Sequence, residues 1–477
     1  MRKWLFSAGI LLLLVLGRFW LQSGPRAAVP TVDPITRWNA EHADLTDNAA
    51  DLYRAAFAAL TGKEDPNSCA CPGDPVPPEV AIWVQQNEEA IALARQATEL
   101  PNCWFGMARE PDGNYYGAPE LKHMRTLAKL LHWRGLIAAQ QHDSATLADS
   151  AITLSRMARH VDQGPPDLMT SRVAIAMRAL PLDAVTQPML WPEMSAAERT
   201  AYVARVVPIL DPPPPLTEAF AGEQELSLWM HLTSTPAGLQ WTLLAAPSRV
   251  AGEMERYFGP LRALAAAPVE RQCDPADPLV ARMQTLENEQ PSKFNVPRIL
   301  ASILLPSVSR SLTIRIRLIT EQRGTRTVLE LFTYRDRTDA FPDSLDALDG
   351  DFKIDPFSGQ PFVYRRTAHG FTLYSVGVNR KDDGGQHDPR FGDEKKDRDF
   401  VFWPIPDREP ASPATHPSPE RGSMPVSSES WSSVHASRCL SAKIRPPTPT
   451  LRFACLDLLA LFGCVPIAEP PVNLADS

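Results

Sequence analysis

A chain of 477 residues, 44% of them apolar, is long enough to bury a sizeable core, and this length predicts about two to three domains. The formal net charge is -8 and Lys and Arg are scattered along the chain, so no basic surface that would neutralise phosphate groups is indicated. These properties exclude a chain that is disordered throughout, and they predict no nucleic-acid partner.

The N-terminal segment carries the signal for location. Arg2 and Lys3 precede an apolar run over residues 4–21 that only Arg18 interrupts. The run is close to the length that spans a bilayer, and no small-residue cleavage site follows it directly. We therefore predict a signal anchor over residues 1–24, with a cleaved signal peptide and a buried core helix as alternatives. Because positive charge precedes the run, the prediction is a single-pass inner-membrane protein with the bulk of the chain in the periplasm.

Four cysteines lie in the region that is predicted to fold, namely Cys69, Cys71, Cys103 and Cys273. In an oxidising compartment they allow two disulfides, and we predict that Cys69 and Cys71 pair outward with the other two. Free buried thiols are the alternative. A zinc site is not indicated, because C-x-C lacks the usual C-x2-C spacing and no histidine pair lies near it.

Helical periodicity dominates from about residue 47 to residue 289. The first helix lies within LTDNAADLYRAAFAALTG, with Thr46 or Asp47 as its cap and Gly62 as its stop. A second helix is predicted within PPEVAIWVQQNEEAIALARQATEL. Its core-facing stripe consists of Val80, Trp83, Val84, Ala90, Ile91 and Ala94.

A helical hairpin follows, with its turn near His142 and Asp143. Four more helices are predicted over residues 166–180, 195–210, 217–232 and 250–266. Pairs of helices in series predict a mainly α domain, an irregular α-solenoid-like helical array, over residues 25–295. A long helix then begins near Val296, is broken or kinked near Pro306 and ends near Thr338.

Four segments in series carry a family resemblance: YRDRTDAFPDSLDAL, IDPFSGQPFVYRR, GFTLYSVGVNRKDDGG and DRDFVFWP. In this order they are similar to the C-terminal globular part of the major pseudopilin of type II secretion systems. The resemblance covers about residues 318–404. It implies a small α+β pseudopilin-like module, which we place at residues 296–406. The whole chain also resembles bacterial envelope proteins that join a membrane anchor, a helical region and a module of this kind.

In the pseudopilin family the loop after the tyrosine-serine strand holds calcium, so the resemblance implies a calcium site here. The ligands that it implies are Asn379, Asp382, Asp383, Asp388, Asp397 and Asp399. Calcium takes about six to eight oxygen ligands on a loop flexible enough to surround it, and the glycines after Asp383 allow such turns. A solvated charged loop that only turns the chain is the alternative.

The sequence contains no G-x-S-x-G, P-loop or H-E-x-x-H motif. We therefore predict that the protein is not an enzyme but a membrane-anchored periplasmic binding or scaffold protein, with an envelope protein as partner through the helical domain. The alternative is an envelope hydrolase that uses an acidic cluster around Asp382 and Asp383. Residues 407–477 are predicted to form a disordered tail, because they begin with a stretch rich in Pro and Ser.

Overall fold

The computed structural model describes residues 26–62, 76–108, 120–182, 184–234, 247–289, 296–368, 370–387 and 399–404. Within these ranges no helix is long and apolar enough to cross a membrane. The predicted anchor, the predicted tail, Cys69 and Cys71 all lie outside the described residues.

The described region of the chain is mainly helical, as predicted. It contains thirteen α-helices: α1 (Pro34–Glu41), α2 (Ala50–Ala59), α3 (Pro78–Gln86), α4 (Glu88–Ala97), α5 (Glu120–Gln140), α6 (Ser144–Asp162), α7 (Leu168–Ala179), α8 (Ala196–Val206), α9 (Thr217–Ser234), α10 (Pro247–Ala265), α11 (Val269–Gln272), α12 (Pro278–Asn288) and α13 (Val296–Thr338). Short 3₁₀ turns follow α7, α8 and α13.

The predicted hairpin is confirmed as α5 and α6. His142 takes a left-handed backbone conformation with φ of 57°, and the side chain of Asp143 accepts a hydrogen bond from the Thr146 backbone N–H at 3.0 Å. Asp143 is therefore the N-cap of α6 and stops the two helices from merging. The facing leucines of the two helices, among them Leu127 and Leu154, are buried.

The segment that was predicted to form the second helix forms two helices, α3 and α4, so the prediction of one continuous helix is wrong. Asn87 lies between α3 and α4 and is fully buried. Its side chain accepts from the Thr61 backbone N–H at 2.8 Å and donates to the Trp83 carbonyl at 2.8 Å. An asparagine that bonds the backbone in this way competes with the helical pattern and ends α3. All six residues of the predicted stripe are nevertheless buried.

The predicted cap of the first helix is also wrong, because neither Thr46 nor Asp47 caps α2. The N-cap position is Ala49, which makes no side-chain cap bond. The side chain of Asn48 accepts from the backbone N–H of Ala50 at 3.1 Å and of Trp104 at 2.9 Å. Asn48 thus both supports the first turn of α2 and fixes the later segment at Trp104, a contact that the sequence pattern did not reveal.

Helix α13 runs without a break through Pro306, so of the two predicted alternatives the break is wrong and the kink stays a prediction, whereas the predicted end at Thr338 is confirmed. In its middle, Arg315 is 6% exposed. Its guanidinium donates to the carbonyls of Pro213 and Pro214, both at 2.9 Å. Burial lowers the pKa of Arg315 to about 10. The long helix therefore holds the proline-rich stretch before α9 by a buried guanidinium.

A small antiparallel sheet packs on the second half of α13, as the predicted α+β module requires. Its strands β1 (Val363–Arg366), β2 (Phe371–Ser375) and β3 (Phe400–Trp403) lie in the order β1-β2-β3. Phe332 of α13 meets Trp403 with ring centroids 4.9 Å apart. At Gly324 an added Cβ would lie 2.3 Å from Phe402, so this glycine lets the strand approach the helix.

One continuous apolar cluster runs from Ala49 to Trp403 and includes residues of both the helical region and the sheet. The predicted boundary between residues 295 and 296 stays a prediction. Cys103 and Cys273 are free thiols, so the predicted disulfides to them are wrong and the alternative is confirmed for these two. Burial raises the pKa of each thiol to about 12, which keeps both protonated at neutral pH.

Candidate site in the loop after strand β2

The loop that follows β2 turns back on itself through several left-handed backbone positions. Gly377, Gly384 and Gly385 have φ of 65°, 78° and 81°, and Arg380 has φ of 58°. Glycine adopts a positive φ without steric cost, whereas arginine rarely adopts one. The sequence GVNRKDDGG therefore folds as a compact turn that brings its polar side chains toward β2 and β3.

Asp382 binds groups of the sheet and of its own turn. One carboxylate oxygen accepts from the Tyr374 hydroxyl at 2.8 Å and from the Gly384 N–H at 2.9 Å, and the other accepts from Arg365 at 3.1 Å. The N–H of Gly384 and the hydroxyl of Tyr374 hold the pKa of Asp382 below its usual value. Asp382 is therefore an ionised acceptor that ties the loop to strands β1 and β2.

Asn379 and Asp383 pair within the loop. The amide nitrogen of Asn379 donates to an oxygen of Asp383 at 2.8 Å, while its amide oxygen accepts from the Lys381 backbone N–H at 2.8 Å. Both polar atoms of the Asn379 side chain are thus used inside the turn. A local network of this kind stabilises a turn without any ligand.

Asp399 closes the loop from the start of β3. It is 1% exposed, and its oxygens accept from the backbone N–H groups of Asp383 at 3.2 Å and Gly385 at 2.6 Å. Burial raises the pKa of Asp399, and the neighbouring charges of Asp382 and Asp383 act in the same direction, while the two N–H groups oppose them. The three carboxylates are therefore close enough to repel one another.

The structure brings together four of the six predicted calcium ligands, Asn379, Asp382, Asp383 and Asp399. The other two, Asp388 and Asp397, lie outside the described residues. In the described ranges, no three or more acidic, histidine or cysteine side chains form a group that could hold a metal ion. Each of the three described carboxylates accepts hydrogen bonds from protein N–H or O–H groups instead. The described donors therefore do not fit a cation on their own, and calcium at this loop stays a prediction.

Sequence reasoning missed a second fully buried carboxylate of the module. Asp355 is 1% exposed and accepts from the Ser375 hydroxyl at 2.9 Å, the Val376 N–H at 3.1 Å and the Phe357 N–H at 3.0 Å. Burial raises the pKa of Asp355, although these bonds oppose the shift. The signal was present in the sequence, because Asp355 and Ser375 both belong to segments that carry the pseudopilin resemblance.

The geometry around Asp382 and Asp383 bears on the alternative of an acid–base enzyme. A general acid at neutral pH needs a raised pKa, whereas that of Asp382 is lowered. Asp399, whose pKa is raised and which lies beside these two carboxylates, is 1% exposed and bonds to backbone N–H groups. The arrangement favours a structural role for these carboxylates, and the envelope hydrolase stays a prediction.

No family model, no curated protein and no solved structure matches this chain.

Proposed function

We propose that the protein is a membrane-anchored periplasmic binding or scaffold protein whose C-terminal module is pseudopilin-like. The observation that carries the proposal is the three-stranded antiparallel sheet packed on the second half of a 43-residue helix. This arrangement fits the order of segments on which the resemblance rests. The buried bond between Asp355 and Ser375 supports it, since it joins two of those segments in space.

The helical region supports a binding or scaffold role because its apolar core is continuous with that of the sheet. Helix α13 packs on α7, on α10 and on strands β2 and β3 of the sheet. A single apolar cluster includes residues of the helical region and of the sheet. Because this core is continuous, the proposal expects the residues that contribute to it to hold a partner in a fixed orientation. The proposed partner is an envelope protein bound by the helices, with the inner membrane as the site of anchoring.

The experiment that tests location uses the full-length protein in cells. Membranes are extracted with alkaline carbonate, and spheroplasts are treated with protease before and after lysis. The proposal expects the protein to stay in the carbonate pellet and to be digested in intact spheroplasts. Release into the carbonate supernatant would contradict the anchor, and protection from protease in intact spheroplasts would contradict the periplasmic location.

Calcium is tested separately, by melting the full-length protein with calcium and with chelator. A ligand that binds only the folded state raises stability by about 2.7 kcal/mol at 100 times its dissociation constant. A rise in melting temperature that disappears in Asp382→Ala would support a calcium site completed by residues outside the described ranges. An unchanged melting temperature at millimolar calcium would support a loop closed by protein groups alone.

A further inference from the structure

The connection between α11 and α12 contacts the C-terminal module at two of its own residues. Arg380 in the loop after β2 donates to a carboxylate oxygen of Asp274 at 2.9 Å. The Cys273 thiol donates to the Pro356 carbonyl at 3.0 Å. These contacts join residues that are 106 and 83 positions apart in the chain. They connect the helical region to two segments of the module, the loop after β2 and the segment around Asp355.

The long helix adds a third link at the same place. Arg323 of α13 donates to Glu270 of α11 at 2.7 Å and to the Ile354 carbonyl at 3.0 Å. Its guanidinium thus bridges the helical region and the segment that leads into the buried Asp355. Helix α11, helix α13 and residues 354–356 are tied together by one half-buried arginine.

The loop itself is shaped so that Arg380 reaches the helical region. Arg380 is one of four non-glycine residues with positive φ in the described ranges. Its neighbour Asn379 bonds to both Lys381 and Asp383, which fixes the turn on either side of Arg380. The hydrogen bond from Arg380 also holds the pKa of Asp274 below its usual value, so the carboxylate is charged at neutral pH. An uncommon backbone conformation is therefore combined with a specific long-range partner.

We propose that the α11–α12 connection and the loop after β2 form one coupled unit, joined by Asp274, Arg380 and Cys273. A change in the order of either segment then changes the order of the other by the same free energy, because coupling between two segments is reciprocal. For the proposed scaffold, a partner bound near α11 and α12 would alter the loop, and a ligand of the loop would alter α11 and α12. Only this consequence for a partner rests on the proposed function.

The test is hydrogen exchange measured by mass spectrometry on the full-length protein. In Arg380→Gln the substituted residue lies in the loop, and in Asp274→Asn it lies in the α11–α12 connection. Asparagine keeps the acceptor that the Ala276 N–H uses at 3.1 Å, so Asp274→Asn removes mainly the charge. The control is Asp343→Asn, which removes a more exposed ion pair with Arg366 in the same module but away from the loop.

Each variant should speed exchange in the segment that was not substituted, by about two- to fivefold for a pair this exposed. The double variant should exchange no faster than the faster single variant, because each single change already removes the charge pair between Arg380 and Asp274. The control should leave residues 271–277 and 377–387 unchanged. Faster exchange confined to the substituted segment, or additive effects in the double variant, would overturn the proposal. The outcome does not depend on membrane extraction or protease protection, so it is separable from the fate of the proposed function.

Cys273→Ala gives an independent check of the second link. The thiol bonds to the Pro356 carbonyl, and alanine removes this donor with a small change in volume. Exchange should rise at the amides near Asp355, which lie beside the bonded carbonyl, while melting of the whole protein stays cooperative. An unchanged exchange rate around Asp355 would remove Cys273 from the coupled unit.

Discussion

The α5–α6 hairpin and the loop after β2 are held by different forces. In the hairpin, buried leucines and alanines at helical spacing face one another across a turn capped by Asp143. In the loop, the side-chain hydrogen bonds and ion pairs join it to β1, β2, Asp399 just before β3 and the distant α11–α12 connection. Apolar periodicity can be read within a single segment of sequence, whereas the partners of a polar loop depend on the fold that surrounds it.

The largest expected effect is in the hairpin. Leu127 is fully buried between helices, so Leu127→Ala should lower the free energy of unfolding by about 2–5 kcal/mol through lost burial and a cavity. Urea denaturation followed by circular dichroism measures the change. The control is Ile82→Ala, because Ile82 is 54% exposed and its loss should cost less than about 0.5 kcal/mol. Equal costs at the two positions would mean that the hairpin does not belong to the core.

A second prediction concerns close helix contacts. A Cβ added at Gly222 of α9 would lie 1.9 Å from the Pro166 carbonyl oxygen, so Gly222→Ala should destabilise the protein by about 1–3 kcal/mol. The matched control is Gly135→Ala in α5, where the nearest atoms are 3.6 Å away. That change should stabilise the protein by about 0.5–1 kcal/mol, since alanine favours a helix over glycine. The comparison fails if the two alanines shift the urea midpoint in the same direction.

In the loop, the loss of stability on replacing a carboxylate should depend on how buried the carboxylate is rather than on its charge. Asp399→Ala removes the acceptor for two backbone N–H groups at a 1% exposed position, so it should cost about 1–3 kcal/mol. Asp382→Ala, at a half-exposed position, should cost less than about 1 kcal/mol. Thermal melting of both variants in chelator measures the difference. A larger cost at Asp382 would reverse the assignment of Asp399 as the residue that closes the loop.

The smallest effect is a pH dependence at Asp355. Because burial raises the pKa of Asp355 in the folded protein, the folded state holds the proton more tightly than the unfolded chain. The contribution to stability is therefore present below the unfolded pKa of about 3.9 and is lost as pH rises through the folded pKa. Relative to Asp355→Asn, the wild type should lose stability over that interval. A wild type that gains stability relative to the variant as pH rises would contradict the raised pKa.

The helices could largely be predicted from the sequence, because their signals are local. All six residues of the predicted stripe in α3 and α4 are buried, and the hairpin turn at His142 and Asp143 is where the pattern placed it. The wrong predictions of the helix cap and of the helix continuity both concern polar side chains that bond to the backbone. Asn87 divides one predicted helix through bonds to Thr61 and Trp83, and no periodicity reveals such a partner.

The sequence predicted which residues of the candidate site lie together, but it did not predict their hydrogen-bond partners. The resemblance grouped Asn379, Asp382, Asp383 and Asp399, and these residues do lie together. Their actual partners include Arg365 and Tyr374 from the strands, which only the strand register brings within reach. Asp274 and Cys273 were more distant still, since they belong to a segment that the sequence assigned to another domain.

The continuity of the core is tested most directly by urea unfolding of the full-length protein, with hydrogen exchange read separately in α6 and in β2. We predict that both segments lose protection at the same urea concentration, because one apolar cluster and the Asp274–Arg380 contact join the helical region to the sheet. Loss of protection in β2 at a clearly lower urea concentration than in α6 would contradict it. The sheet and the helices would then be two independently folding bodies.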